Sequence, residues 1–111
     1  MIETFITSDF WISAYRKKLS DYAIPIYVKK SGHKVRGAII IKLSLLTGNA
    51  ILFKRNVNAD GIRIWAEDRQ AKESEIDEMI EREIRHDSDL WVLEIEDKLG
   101  RHFLFEPSMN T

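Results

Sequence analysis

The sequence predicts an α+β fold: a mainly antiparallel sheet of five to six strands with two helices, in the order α-β-β-β-β-α-β-β. Apolar residues recur at helical spacing in only two segments, one near the start and one past the middle. The remaining segments alternate with a period of two and are separated by short turn sequences. Short turns join neighbouring strands in an antiparallel arrangement, so most of the strand pairing is expected to be antiparallel. We expect a single domain over residues 1–111, with both helices on one face of the sheet.

The first predicted helix begins at residues 7–9 and ends before Pro25. The side chain of Ser8 or Asp9 can accept hydrogen bonds from the free amides of the first turn. Pro25 ends the helix because it has no amide to donate and restricts the residues before it. A broad apolar face follows the helical spacing and is made by Phe10, Trp11, Ala14, Tyr15, Leu19 and Tyr22.

Four strands are predicted between the two helices. They cover residues 26–30, 35–46, 50–57 and 62–66, and turn residues such as Gly, Asn, Asp and Ser separate them. Three successive isoleucines, Ile39 to Ile41, make the second strand apolar on both of its faces. That composition predicts a central position in the sheet.

The second predicted helix begins at Ser74, with Asp77 three residues further on as a capping-box-like partner. Its apolar positions are expected to pack on the sheet and are Ile76, Met79, Ile80 and Ile84. Residues 90–96 then form a fifth strand, and a turn at 97–100 leads into a short sixth strand at 101–105. We expect Trp11 and Trp91 to lie in the core.

Charge is segregated along the chain. Residues 16–63 contain eleven basic and two acidic residues, whereas residues 64–111 contain six basic and fourteen acidic ones, and the total is close to neutral. Three arrangements give such a pattern: a polyanion-binding face, a head-to-tail protein contact, or neutralisation of one half by the other within the fold. The sequence alone does not distinguish these three arrangements.

Several classes of protein are disfavoured by what the sequence lacks. It has no cysteine, which excludes disulfides, thiolate metal sites and cysteine nucleophiles and fits a reducing compartment. No apolar run is long enough for a membrane span, and the first residues do not resemble a secretory signal, so a cytoplasmic protein is predicted. Without a glycine-rich phosphate loop or a serine-nucleophile motif, we predict no catalytic residue, no cofactor and no metal ligand.

One C-terminal cluster could nevertheless carry chemistry. Glu94, Glu96 and Asp97 lie within nine residues of the chain together with Arg101 and His102, and Glu94 and Glu96 share a face of the fifth strand. Two carboxylates and an imidazole could bind a divalent metal or act as an acid–base pair, which would make the protein a metal-dependent hydrolase. The favoured interpretation is a solvated edge strand in which Arg101 pairs across a hairpin.

A basic sheet face is the second candidate site. Arg36 and Lys42 share one face of the second strand, and Lys54 and Arg63 could extend a basic stripe across the neighbouring strands. With aromatic residues to stack on bases, such a stripe could bind nucleic acid weakly. However, the sequence contains no known nucleic-acid-binding motif and its pI is about 6.3, so this function remains an alternative.

Three blocks of the sequence resemble a family of small alphaproteobacterial proteins of unknown function, DUF1491. The most specific block is residues 87–104, DSDLWVLEIEDKLGRHFL; the others are residues 10–14, FWISA, and residues 37–42, GAIIIK. The resemblance covers nearly the whole chain and implies a bacterial source. It implies no activity, cofactor or catalytic residue.

We therefore predict a non-catalytic protein-interaction module that binds an unidentified protein or a second copy of itself. This hypothesis depends on separated opposite charges, which favour complementary docking. The residues expected on the interaction surface are Arg36, Lys42, Lys54, Arg63, Glu94, Glu96 and Arg101.

Overall fold

The structure is a computed structural model that describes residues 6–110. Its two helices are α1 (Ser8–Ser20) and α2 (Glu73–His86), and a short 3₁₀ helix (Pro107–Met109) lies near the end. The strands are β1 (Ile26–Lys30), β2 (Ile39–Ser44), β3 (Asn49–Val57), β4 (Arg63–Lys72) and β5 (Trp91–Glu96). The predicted α+β class with two helices is confirmed.

The five strands form one mixed sheet in the order β1-β5-β2-β3-β4. β2 and β5 are parallel, whereas the other three pairings are antiparallel. After β4, helix α2 crosses one face of the sheet and returns the chain to the end at which β2 begins. β5 then enters between β1 and β2 and runs parallel to β2, which makes the sheet mixed. The sequence predicted mainly antiparallel pairing and missed this central parallel pair.

The two helices cover opposite faces of the sheet, so the prediction that they share one face is wrong. On the α1 face, buried residues of α1, including Trp11 and Leu19, pack with Ile41 and its α1-side neighbours in one core cluster. On the α2 face, Ile76 and Ile80 pack with other strand residues, including Ile40, in a second cluster. Adjacent residues of β2 point to opposite faces, and both are apolar, so each face requires its own covering layer.

The starts of both helices differ from the predicted caps. Thr7, rather than Ser8 or Asp9, caps α1 by accepting a 3.4 Å hydrogen bond from the Phe10 amide. Ser8 instead donates to the carbonyl of Gly37 at 2.6 Å and ties the helix to the loop before β2. α2 has no side-chain cap and no capping box, because β4 runs directly into it.

The last predicted strand, residues 101–105, is absent, and this segment crosses the α1 face as a loop. The Tyr15 hydroxyl donates to the His102 carbonyl at 2.9 Å, and the Trp11 indole donates to the Met109 carbonyl at 3.2 Å. Leu104 is fully buried in the α1-face core. The segment is held by side chains of α1 rather than by a strand partner, and the core position predicted for Trp11 and Trp91 is confirmed.

Strand lengths also differ from the predictions. β2 is shorter than the predicted residues 35–46, and β4 continues through a polar segment to Lys72, beyond the predicted end of this strand at residue 66. β4 can be polar because it is an edge strand and several of its residues are exposed. Within residues 6–110, no helix has the length and apolarity needed to cross a membrane.

Both edge strands carry an irregularity in their pairing. In β1 the register skips Lys29, and in β4 it skips Asp68. An extra charged residue on an edge strand twists that edge and obstructs the addition of another strand. The sheet edges are therefore poor docking sites, and the helical layers are the better candidates.

Candidate functional site

Lys42 lies at the centre of a charged cluster between the sheet and α2. Lys42 is buried, with 5% of its surface exposed to solvent. Its Nζ lies 2.8 Å from an oxygen of Asp77, 3.0 Å from Glu73 and 3.4 Å from Glu94. Burial alone would lower the pKa of Lys42, but these carboxylates overcome that effect and raise it. Lys42 is therefore a charged tether that holds the first turns of α2 on the sheet.

Lys54 makes a second link between the sheet and α2. Its Nζ lies 2.5 Å from an oxygen of Glu83 and 3.6 Å from an oxygen of Asp68. Burial opposes the charge, yet the carboxylates raise the pKa of Lys54 above its usual value. The alternative of an open basic sheet face does not hold at Lys42 and Lys54, because α2 covers both residues and its carboxylates neutralise them. At this face, the two halves of the sequence neutralise each other within the fold.

Of the predicted cluster, only Asp97 and Arg101 are brought together, and Glu94, Glu96 and His102 do not join them. Glu94 forms an ion pair with Lys42 on the α2 face, and Arg101 forms a bidentate ion pair with Asp97. His102 lies on the α1 face, with its ring 4.4 Å from that of Phe53. Because the segment after Gly100 crosses to that face instead of forming a hairpin, the imidazole is separated from the carboxylates.

The part of the chain that the structure describes contains no group of three or more His, Asp or Glu side chains that could hold a metal ion. Glu96 instead lies near Tyr27 of the neighbouring strand, and its carboxylate raises the pKa of the Tyr27 hydroxyl. The arrangement offers ion pairing and strand packing, and does not bring together the residues required for the hydrolase alternative.

The two remaining predicted residues, Arg36 and Arg63, lie at the end of the sheet where β2 begins. Arg36 is in the turn before β2, and its amide donates to the His33 ring at 3.2 Å. Arg63 is the first residue of β4 and lines a notch of about 210 Å³ together with Lys54. The structure therefore brings Arg63 and Lys54 together, and separates them from Arg101.

The outer surface of α2 carries a set of charges that was not among the interaction-surface residues predicted from the sequence. Glu78, Glu81, Arg82 and Arg85 are exposed and follow the i, i+3, i+4, i+7 spacing of a single helix face. We call these four residues the α2 ridge. A shallow groove of about 440 Å³ runs along them. The helical spacing of the four residues is visible in the sequence, but none of them was predicted to form an interaction surface.

Charge on the α2 ridge is ordered along the helix, with glutamates toward the start and arginines toward the end. This order suits the helix dipole and leaves only loose pairing within the helix. The Arg85–Glu81 distance is 3.9 Å, and their side chains are 64% and 75% exposed. The ridge therefore presents an acidic half and a basic half that remain accessible to an outside partner.

Comparisons with known proteins agree on one family. A crystal structure at 1.87 Å of a DUF1491 family protein from Caulobacter crescentus has a TM-score of 0.84 and 35% identity, and the match covers 93% of this chain and 98% of that one. An NMR structure of a DUF1491 family protein from the same organism has a TM-score of 0.81 and 34% identity, with 95% and 97% coverage. A solution structure from A. tumefaciens has a TM-score of 0.77 and 25% identity, with 92% of each chain covered.

A search of curated proteins finds no match. The family model for DUF1491, described as a protein of unknown function, matches residues 6–105. This span includes all three sequence blocks that suggested the resemblance, and both Caulobacter structures agree with it. The chain therefore belongs to the DUF1491 family.

Proposed function

We propose that the chain is a non-catalytic, cytoplasmic protein-interaction module whose α2 ridge docks onto the α2 ridge of a second copy. The observation that supports this proposal is the order of charges on the ridge, which makes the surface complementary to itself. A two-fold symmetric interface brings the same patch of each copy together, so self-complementarity is the property that such an interface requires.

The pairing follows from the helix geometry. When two α2 helices lie antiparallel about a two-fold axis near residues 81 and 82, Glu81 of one copy faces Arg82 of the other. In the same register, Glu78 faces Arg85 of the other copy. Symmetry repeats each pair, which gives four ion pairs and no like-charge contact among the four ridge positions. A parallel pairing would instead place like charges opposite one another, and such contacts are destabilising.

The interface should be weak and sensitive to salt. α2 has 14 residues, so it is about 21 Å long and its contact area falls below the ~1,600 Å² of a standard interface. Each exposed ion pair contributes about 0.2–1 kcal/mol, and salt reduces that contribution. We expect a dissociation constant in the micromolar range or weaker at low salt.

Sedimentation equilibrium over a concentration series tests the proposal. The wild-type protein should dimerise at low salt and dissociate as salt increases. The Arg82→Glu/Arg85→Glu variant should stay monomeric, because its ridge becomes entirely acidic. As a matched control, Lys17→Glu/Lys29→Glu changes the net charge equally at exposed positions outside α2 and should dimerise like the wild type.

Two results would contradict this function. One is a wild-type protein that stays monomeric at every concentration at low salt. The other is an equal loss of dimer in the ridge variant and the control variant, because net charge rather than the ridge would then govern association.

A further inference from the structure

The segment after β5 lies across the α1 face without a strand partner, and we call residues 101–110 the C-terminal strap. Its side chains Leu104 and Met109 are buried in the α1-face core. Within residues 6–110, the backbone–backbone hydrogen bonds of the strap are short-range, such as that from the Met109 amide to the Glu106 carbonyl at 2.9 Å. A segment without ladder bonds to the sheet can open locally at a lower free-energy cost than the sheet itself.

His102 holds the beginning of the strap in two ways. Its ring lies near those of Phe53 and Phe105, with centroid distances of 4.4 Å and 4.8 Å. Its Nδ1 accepts a 3.0 Å hydrogen bond from the amide of Leu104, two residues further on. An imidazole nitrogen can accept a hydrogen bond only while it carries no proton. The observed position of the strap therefore requires a neutral His102 with its proton on Nε2.

The backbone at this turn is strained. Phe103, between the two hydrogen-bonded residues, has a φ of +58°, in the left-handed region that residues other than glycine rarely adopt. Its ring lies 4.5 Å from that of Tyr22, and the ammonium of Lys18 lies 5.5 Å from its centre. Such a conformation persists only while the surrounding contacts hold it. Loss of the His102–Leu104 hydrogen bond would therefore favour release of the turn.

The surroundings of His102 disfavour its protonated form. Burial lowers the pKa of His102 below its ordinary 6.5, and the carboxylate of Glu67, which pairs with Phe53 in the sheet, opposes this only in part. Other ionisable groups on α1, β3 and the strap have contacts of their own: Lys18 with Glu106, Arg101 with Asp97, Arg55 with the rings of Trp11 and Trp65, and Tyr15 with the His102 carbonyl.

We propose that His102 is a pH-sensitive switch for the C-terminal strap, which stays closed while the imidazole is neutral and opens when the imidazole takes up a proton. A protonated Nδ1 is a donor that faces the Leu104 amide, so the hydrogen bond is lost and two donors are left opposed. In the open strap, water surrounds His102 and its pKa returns toward 6.5. The closed form is therefore fully favoured above that pH and is weakened as the pH falls below it.

Opening of the strap would uncover an aromatic part of the α1-face core. Leu104 and Met109 belong to the same core cluster as Trp11, Tyr15 and Phe53. When the two strap residues leave, these rings become accessible on the face opposite α2. The proposed switch therefore controls the exposure of an apolar surface that is distinct from the α2 ridge.

Amide hydrogen exchange, measured by NMR on the ¹⁵N-labelled full chain between about pH 7.5 and about pH 5.5, tests the proposal. Protection factors remove the pH dependence of the chemical exchange itself. The protection factor of the Leu104 amide should fall roughly three- to tenfold across this range, as expected for the loss of one hydrogen bond. That of Met109, near the other end of the strap, should fall in parallel. Both should stay below that of Ile41 in the central strand, because the strap opens without unfolding the sheet.

Substitutions at His102 separate the proton from the packing. His102→Asn places a neutral amide oxygen near the position of Nδ1, so the protection of Leu104 should no longer depend on pH. His102→Phe keeps an aromatic ring without an acceptor, so Leu104 should be weakly protected at both ends of the pH range. His86→Asn changes an exposed histidine on α2 and, as the matched control, should keep the wild-type response. Circular dichroism verifies that each variant is folded.

Three results would overturn the proposal. The first is a Leu104 protection factor that does not change with pH in the wild type, and the second is an unchanged pH response in the folded His102 variants. The third is a fall confined to Leu104 while Met109 stays protected, because only one turn would then respond and the strap would stay closed. The switch and the α2 ridge lie on opposite faces and are tested by different measurements, so either proposal can fail without the other.

Discussion

Replacing Lys42 by methionine tests how α2 is held on the sheet. Lys42→Met keeps the length and apolar stem of the side chain but removes its charge, so three carboxylates lose their shared cation. The variant then holds Glu73, Asp77 and Glu94 close together without compensation. We expect α2 to be held less tightly, and the whole domain to be less stable, because Ile76 and Ile80 on this helix fill the α2-face core.

The size of the effect follows from the exposure of the groups involved. Removing one partner of a fully buried ion pair costs about 3–5 kcal/mol, whereas an exposed pair contributes about 0–1 kcal/mol. The Lys42 side chain is 6% exposed, but those of Glu73, Asp77 and Glu94 are 34%, 56% and 22% exposed. The cluster lies between the two limits, and we expect a loss of about 2–3 kcal/mol in the free energy of unfolding.

Urea denaturation followed by circular dichroism measures this loss, and Lys54→Met serves as the matched control. The Lys54 side chain is 26% exposed and its two partners are about 40% exposed, so its removal should cost only about 1 kcal/mol or less. Equal losses in the two variants, or a loss below about 1 kcal/mol for Lys42→Met, would refute the interpretation of Lys42 as the main tether.

Three further predictions concern loops and pH. A Cβ added at Gly32 would lie 2.1 Å from a backbone carbonyl oxygen, so Gly32→Ala should cost more than about 2 kcal/mol in urea denaturation. Gly61→Ala adds a Cβ into open space at a φ of +78° and should cost only about 1 kcal/mol, so similar losses in the two variants would contradict the crowding at Gly32. Burial lowers the pKa of His102 below its ordinary 6.5. The unfolded chain therefore binds that proton more readily, and stability should fall as the pH drops below about 6.5 and fall less in His102→Phe. Arg101 holds the pKa of the Asp97 carboxyl below 3.8. The contribution of the Asp97 carboxylate to the free energy of unfolding is therefore complete above that pH and is lost as the pH falls further. A pH series of urea denaturations should show this loss in the wild type and not in Asp97→Asn, and identical acid profiles would contradict it.

Local elements were predictable because they follow from short-range patterns. The helical spacing located α1 and α2, and the alternation located β1, β3 and β5 to within a few residues. The order of strands was not predictable in this way, because it depends on which segments pack together after the chain has crossed the sheet. The apolar run at Ile39–Ile41 did indicate a central strand, and the structure shows that such a strand needs a helix on each face.

The candidate site, like the order of the strands, depends on contacts between residues that are far apart in the sequence. Lys42 and Glu94 were both predicted to lie on an interaction surface, yet they are direct neighbours in the parallel pairing of β2 and β5. No spacing in the sequence could show that contact, because 52 positions separate the two residues. Arg82 and Arg85, by contrast, lie at helical spacing from Glu78 and Glu81, and the same pattern that predicted α2 also contained the ridge.

Mixing two ridge variants tests most directly whether α2 recognises a second copy through its charges. Glu78→Arg/Glu81→Arg makes the ridge entirely basic, and Arg82→Glu/Arg85→Glu makes it entirely acidic. At low salt, each variant alone should sediment as a monomer, while their equimolar mixture should sediment as a dimer. A mixture that sediments as two independent monomers, under conditions in which the wild-type protein dimerises, would contradict recognition through the ridge.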